Sequence, residues 1–168
     1  MESMYNLVKD FFSNDMDLND LYDSEAIIWI DWREYDEDVV RYFNDMMAEP
    51  IDIELVSNGK PYGDDIVLKN GNKELQIPYG DEQDRDVTIK YFNDFVKPDY
   101  EVRWFIESLG NDTLGFTVLS GAEWANLEDE FGADTVRYYF EPINLESNMF
   151  NLDMDEVSEL LELRENNR

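Results

Sequence analysis

The stretch Arg41-Tyr-Phe-Asn-Asp45 returns as Lys90-Tyr-Phe-Asn-Asp94, at an offset of 49 residues, and this echo decides how we interpret the fold. Each copy has the apolar spacing of an amphipathic helix, and an alternating strand follows each one. The same offset aligns three more apolar pairs, namely Val40 with Ile89, Ile53 with Val102 and Leu55 with Trp104. We interpret the echo as two βαββ units, over residues 25–70 and 74–119. Chance matching of two amphipathic helices that each precede a strand is the alternative.

Apolar periodicity and turn residues predict the other elements on either side of the two copies. The predicted elements are a helix at 3–13, strands at 26–32 and 51–55, a helix beginning at Asp36, a hairpin of 65–69 and 73–79 around Asn70-Gly-Asn72, a helix ending before Pro98, strands at 102–106 and 114–119, a short helix begun by a capping box from Ser120 to Glu123, a strand through Val136, Tyr138 and Phe140, and a terminal helix capped at Asp153.

These elements predict an α+β fold in a single domain spanning residues 1–168. We expect one mixed or antiparallel sheet, with the helices packed mainly on one of its faces. A helix-strand-helix segment at 120–168 would follow the two units. The other face of the sheet would then remain open for a partner.

Charge is the most unusual property of the composition. The chain has 168 residues, with 41 acidic side chains against 13 basic ones, and a formal net charge of −28. Aromatic residues make up 14% of it, so we expect a folded chain despite the self-repulsion. A basic partner, adaptation to high salt and general solubility each explain such a charge, and we favour the basic partner. Direct binding of nucleic acid is excluded, because phosphates require a basic face.

The sequence contains neither cysteine nor histidine, which removes thiol nucleophiles, histidine bases and ordinary zinc sites. It also contains no glycine-rich phosphate loop and no nucleophile elbow. We therefore predict a protein that is not an enzyme and that binds no cofactor. A hydrolase that depends on carboxylates alone is the remaining catalytic alternative.

Two acidic stretches have part of the spacing of a calcium loop, and we predict no metal at either. Asp15-x-Asp17-x-Asn19-Asp20 has Asp20 in place of the required glycine, and Asn151-x-Asp153-x-Asp155-Glu156 has Glu156 there. Both are better explained as helix caps and solvated turns. The N-terminus has no basic, apolar leader, and no stretch approaches the roughly 18 apolar residues of a membrane span. We expect a cytoplasmic protein that contacts no membrane.

Clusters of carboxylates are the candidate sites for binding a partner. The terminal helix presents Asp155, Glu159 and Glu162 on one face, since they are spaced four and three residues apart. The other candidate residues are Glu128, Asp129 and Glu130 at the end of another helix, Asp81, Glu82 and Asp84 in a loop, and Trp32 at the end of a strand. A solvated surface explains any one cluster, but explains less well why so many occur together.

In size, charge and lack of catalytic residues the chain resembles two classes of inhibitor. These are the small acidic immunity proteins that bacteria pair with nuclease toxins, and the acidic DNA mimics of phages, including anti-restriction and anti-CRISPR proteins. The resemblance implies a non-catalytic inhibitor that covers the basic surface of a nuclease or another nucleic-acid-handling protein. An immunity protein is the first expectation, and a phage anti-defence protein is the second.

Overall fold

The computed structural model describes residues 4–31, 35–47, 49–60, 63–78, 85–97, 99–108, 113–145, 149 and 154–166. Within these ranges the chain forms α-helices, strands and a short 3-10 turn at Ile106–Ser108. In chain order the elements are α1 (Met4–Phe12), α2 (Leu18–Tyr22), β1 (Ile28–Asp31), α3 (Asp36–Asp45), β2 (Asp52–Lys60), β3 (Gly63–Asn70), β4 (Lys73–Gln76), α4 (Arg85–Val96), β5 (Tyr100–Phe105), β6 (Thr113–Ser120), α5 (Gly121–Phe131), α6 (Ala133–Tyr139), β7 (Phe140–Pro142) and α7 (Met154–Asn166).

The predicted α+β class and antiparallel pairing are confirmed, but the strands form two sheets rather than one. The four-stranded sheet has the order β1-β6-β5-β7, and the three-stranded sheet has the order β2-β3-β4. The division follows from how the strands pair. In the first echo unit β2 and β3 form a hairpin, as β5 and β6 do in the second. The leading strand of each unit pairs with the last strand of the other, β1 with β6 and β4 with β3.

The two halves of this exchange correspond when Ile28 is matched with Ile77 at the offset of 49 residues and Ile66 with Phe116 at an offset of 50 residues. Ile28 lies opposite Phe116 in the four-stranded sheet. In the three-stranded sheet the N–H of Ile77 donates to the carbonyl of Ile66, 2.9 Å away. Helices α3 and α4 meet between the sheets, and the rings of Phe43 and Phe92, both fully buried, lie 5.6 Å apart. The topology is the one that two equivalent βαββ units would give. Their origin by duplication stays a prediction.

Helices cover both faces of the four-stranded sheet, so the prediction of one open face was wrong for that sheet, whereas the three-stranded sheet exposes Asp52, Glu54 and Glu74 on one face. On one face, side chains of α3, α4 and β3 pack against Ile28, Trp104 and Phe116. On the other, α1, α2, α5 and α6 pack against Ile27 and Phe105. The reason lies in β6, whose central six residues are all buried. A strand that is apolar on both faces requires a layer on each side.

The predicted strand at 136–140 was also wrong, because residues Ala133–Tyr139 form α6 and the strand β7 begins only at Phe140. The buried and half-buried side chains at Val136, Tyr139 and Phe140 have helical spacing, whereas Val136, Tyr138 and Phe140 have the alternating spacing of a strand. Gly132, at φ 96°, ends α5 and allows a second helix to begin at once. The capping box at Ser120 and the turn at Gly71, with φ 60°, are confirmed.

Candidate functional site

The structure places the described acidic candidates on two different helices, α5 and α7. Asp155, Glu159 and Glu162 are exposed on α7, whose Val157 and Leu160 pack against the core. Asp129 and Glu130 are exposed at the end of α5, and Glu130 lies 3.7 Å from the Nζ of Lys9. Trp32, Asp81, Glu82 and Asp84 lie outside the described residues. The first calcium-like stretch is a helix cap, since Asp17 accepts a hydrogen bond from the N–H of Asp20 at the start of α2.

Glu128 forms ion pairs within the protein, and its predicted role in binding a partner stays a prediction. Arg103 on β5 is 3% exposed, and its Nη1 lies 3.2 Å from Oε2 of Glu128. The same oxygen accepts a hydrogen bond of 2.7 Å from Nε of Arg137 on α6. Arg103 also donates to Glu101 and lies over the ring of Trp124, with the guanidinium carbon 4.5 Å from the ring centroid. A buried guanidinium requires such partners, so Glu128 is already paired with two arginines of its own chain.

The titration of Glu128 reflects this position. Burial by itself would raise the pKa of its carboxyl, but the hydrogen bonds from Arg137 and Arg103 outweigh burial and lower the pKa. The same pair raises the pKa of Arg137. Glu128 is therefore charged across the physiological range and holds β5, α5 and α6 together.

Most of the described basic side chains are bound within the protein. Five of them form ion pairs, namely Lys9 with Glu130, Arg41 with Glu37, Lys69 with Glu54, and Arg103 and Arg137 with Glu128. Two others donate to backbone carbonyls, Lys73 to that of Phe95 and Lys97 to that of Ile143. Exposed pairs of this kind add little stability. They do pair most of the described cations with acceptors inside the protein, so most of the unpaired charge on the described surface is negative.

A cavity of about 910 Å³ opens at the end of the four-stranded sheet where β1 begins and β6 ends. Helices α1 and α3 form its sides, and the start of α5 closes one end. Its wall is mainly apolar and aromatic, with Ile27, Trp29, Tyr42, Met46, Tyr100 and Val118 among its residues. Tyr42 and Met46 are 37% and 46% exposed, which is unusual for large side chains of a helix that otherwise packs in the core.

Hydrogen bonds at the mouth of the cavity fix two of its aromatic rings. Nε1 of Trp29 donates to the carbonyl of Tyr22 at 3.3 Å, and the two rings lie 4.6 Å apart. The hydroxyl of Tyr100 accepts from the N–H of Glu49 at 3.1 Å. The wall is thus preformed, which lowers the entropy lost when a ligand binds.

Carboxylates are the charged groups of this cavity, since neither lysine nor arginine is among its described lining residues. Glu123 is committed to the capping box, where it accepts from the N–H of Ser120 at 2.9 Å. Glu25 and Asp45 are exposed, and within the described residues neither forms an ion pair. A cavity with apolar walls and an acidic rim suits a ligand that is part aliphatic and part cationic.

Sequence reasoning missed this cavity because its residues come from five separate stretches of the chain, at 4–5, 25–29, 42–46, 100 and 118–123. The sequence did contain one sign of the cavity. Tyr42 of α3 and Met46, which follows the helix, lie beside the buried apolar residues of α3 and are not needed to complete its buried face. Among the described residues, no helix combines the length and the apolar character needed to cross a bilayer. We found no family model, no curated protein and no solved structure that matches this chain.

Proposed function

We propose that this protein is a non-catalytic inhibitor that binds the basic surface of a nuclease or another nucleic-acid-handling protein. Its role would be that of an immunity protein that neutralises a toxin. A phage protein that mimics DNA would use the same chemistry against a host defence complex. The neighbouring genes, a toxin gene or phage genes, distinguish these two roles.

The observation that carries the proposal is the imbalance of charge at the surface. The formal net charge is −28, and most of the described lysines and arginines are already bound to internal acceptors. Among the described residues, Asp129 of α5, Asp155, Glu159 and Glu162 of α7, and Glu25 and Asp45 of the cavity rim are exposed carboxylates that form no ion pair with a described basic side chain. Such a surface attracts a basic protein over long range and competes with nucleic acid for its lysines and arginines.

The cavity supplies the contact that charge alone cannot. A lysine or arginine side chain of the partner would lay its aliphatic stem along Trp29 and Tyr42 and bring its cation to Glu25 and Asp45. The aromatic rings add a cation–π attraction of about 0.5–2 kcal/mol. A well-packed anchor of this kind slows dissociation, whereas the surrounding charge speeds association.

The test uses the purified protein and the nuclease encoded beside its gene, with inhibition and binding rates measured at several salt concentrations. We expect stoichiometric inhibition, with an association rate that falls about tenfold or more between about 0.05 M and about 0.5 M salt. An association rate that hardly changes with salt would contradict guidance by charge. Cleavage of nucleic acid by this protein alone, with or without divalent metal, would contradict the non-catalytic assignment.

Two variants with equal loss of charge test the cavity. The first changes the rim with Glu25→Gln and Asp45→Asn, and the second changes α7 with Asp155→Asn and Glu159→Gln. We expect both to slow association slightly and only the rim variant to speed dissociation, by about tenfold or more. Equal dissociation rates for the two variants would mean that the cavity is not in the interface.

A further inference from the structure

The outer edge of β2 is the longest open strand edge that the structure describes. Strand β2 spans Asp52–Lys60 and pairs with β3 on one side. Within the described residues no strand pairs with its other side. Its register is regular from Asp52 to Ser57, and the irregularity lies only beyond that residue. A regular edge of this length offers a row of peptide groups to another extended chain.

The register identifies which peptide groups face outward. The bond from the N–H of Ile77 to the carbonyl of Ile66 means that the peptide groups of Ile66 face β4. Because these groups alternate in an antiparallel sheet, those of Val67 face β2 and bond with Glu54, which is opposite. The N–H and C=O of Ile53 and Leu55 therefore point away from β3, to the open edge.

The corresponding edge of the four-stranded sheet is occupied by the chain itself. At the offset of the echo, Ile53 corresponds to Val102 and Leu55 to Trp104. Strand β7 pairs antiparallel with β5 on that edge, with Glu141 opposite Trp104. The N–H of Val102 also points away from β6, since it donates to the side chain of Asn93 at 2.7 Å. One unit thus shows how a strand docks on the edge that the other unit leaves open.

The side chains around the open edge of β2 indicate which residue types a strand docked there would carry. One face of β2 presents exposed Asp52 and Glu54, and Glu74 of β4 is exposed on the same side of the sheet. Lys69 is the neighbouring cation, and it is already paired with Glu54. On the opposite face Ile53 and Leu55 are half-buried against the core. A docked strand would therefore place cationic residues on one face and aliphatic residues on the other.

We propose that β2 is a docking edge for an extended segment of a basic protein, in which lysine or arginine alternates with aliphatic residues. The segment pairs antiparallel with β2, as β7 does with β5, and becomes the fourth strand of that sheet. Its aliphatic residues lie opposite Ile53 and Leu55 and form the backbone hydrogen bonds, whereas its cations lie opposite Asp52 and Glu54. This inference concerns a surface separate from the cavity and does not depend on it.

The test uses a ten-residue peptide of alternating lysine and valine with blocked ends, followed by amide hydrogen exchange in the full-length protein. We expect bound peptide to slow exchange at Ile53 and Leu55 by about tenfold or more, with much smaller changes at Glu54 and Val56, which already bond to β3. An acidic twin, with glutamate in place of lysine, is the control for charge, and we expect it to have no effect.

Two N-methylated peptides test the hydrogen-bond pattern without any change to the protein. Methyl groups on the valine nitrogens should abolish the protection, because those N–H groups face β2, whereas methyl groups on the lysine nitrogens should leave it intact. Protection that survives in both methylated peptides, equal protection by the acidic twin, or no protection by the parent peptide would each overturn the inference. Binding that perturbs only Trp29 and Tyr42 would overturn it too, while leaving the proposed use of the cavity standing.

Discussion

Gly115 on β6 allows three large side chains to share one face of the four-stranded sheet. A Cβ atom at this position would lie 2.7 Å from Cγ2 of Ile27 and 3.3 Å from the rings of Phe105 and Trp29. Alanine is normally more favourable than glycine within a strand, so any loss of stability at this position must come from steric overlap. We expect Gly115→Ala to lower the free energy of unfolding by about 1–3 kcal/mol, measured as a shift in the urea midpoint. Ile27→Ala removes the nearest atom, so the double variant should lose less than the two single variants added together.

The Glu128 carboxyl should make stability depend on pH in a predictable direction. Its folded pKa is lowered, so its contribution is present above the ordinary glutamate pKa of 4.5 and is lost as pH falls through the folded pKa. We expect Glu128→Gln to cost about 1–3 kcal/mol at pH 7 and progressively less below pH 4.5. Urea titrations of both proteins across this range measure the difference. Glu123→Gln, at the capping box of the same helix, is the control for loss of a charge from α5, and a pH profile identical to that of Glu128→Gln would contradict the prediction.

Individual residues were predictable where the local pattern determines them. The capping box of Ser120 and Glu123 depends on four consecutive residues, and the turn at Gly71 depends on three. The local sequence therefore specifies each of these two motifs completely. The role of Glu128 depends on Arg103, which is 25 positions away, and on Trp124 packed above it. Sequence spacing could show that Glu128 lies in an acidic cluster but not that a buried guanidinium would neutralise it.

Helices α3 and α4, which contain the two copies of the repeated stretch, differ in what the side chain of their equivalent asparagine binds. Asn44 closes a local loop, since its side chain donates to the carbonyl of Ile51 and accepts from its N–H, at 2.8 and 2.7 Å. Asn93 is 1% exposed and instead joins two segments, accepting from the N–H of Val102 and donating to the carbonyl of Ile143. The unit that has a docked strand β7 thus uses its asparagine to hold the chain that follows β7.

This difference gives a prediction for the two asparagines. Asn93→Ala leaves the buried N–H of Val102 without its partner and leaves the carbonyl of Ile143 with only the 3.4 Å bond from Lys97, and we expect it to cost about 2–4 kcal/mol. Asn44→Ala is the matched variant and should cost less, because its site is partly open to water. Urea midpoints give both values, and amide exchange should show faster opening of β7 only in Asn93→Ala. A larger loss in Asn44→Ala would mean that the two helices do not divide these roles.

Element types were predictable from periodicity, whereas the layers were not. Strand β6 has no charged side chain on either face, and this was the available sign that the four-stranded sheet is covered on both sides, whereas β5 has Glu101 and Arg103 on one face. The division into two sheets depends on β1 and β4 exchanging partners over a long range, which no local pattern specifies. Helix α6 was missed because Val136, Tyr138 and Phe140 also fit an alternating strand, and packing against α5 decided between the two.

At the scale of the whole molecule, charge and shape would have separate roles in the proposed binding. The exposed carboxylates are distributed over several elements, so removing any one of them changes the long-range field only slightly. The cavity and the β2 edge are local, and each offers contacts that a diffuse field cannot supply. The charge was evident from composition, but both local surfaces require residues from distant parts of the chain to meet.

Helix α7 is the place where the molecular charge can be reduced without disturbing the core. Asp155, Glu159 and Glu162 are exposed there and repel one another, while Val157 and Leu160 hold the inner face. Replacing Asp155 by Asn and both glutamates by Gln keeps size and nearly keeps helix propensity. Asp155 lies in the first turn, where the helix dipole favours a negative charge, so part of the relief is offset. We therefore expect a free energy of unfolding within about 0.5 kcal/mol of the parent.

The same triple variant should associate more slowly with a basic partner, because three charges leave one side of the molecule. We expect the association rate to fall several-fold at low salt and to approach that of the parent at high salt, where screening removes the difference. Dissociation should be unchanged, since α7 contributes no packed anchor. Stopped-flow association with the partner nuclease at several ionic strengths measures this. Association at the parent's rate in low salt would identify α7 as a solvated cap, and the acidic rim of the cavity would then be the side on which the partner arrives.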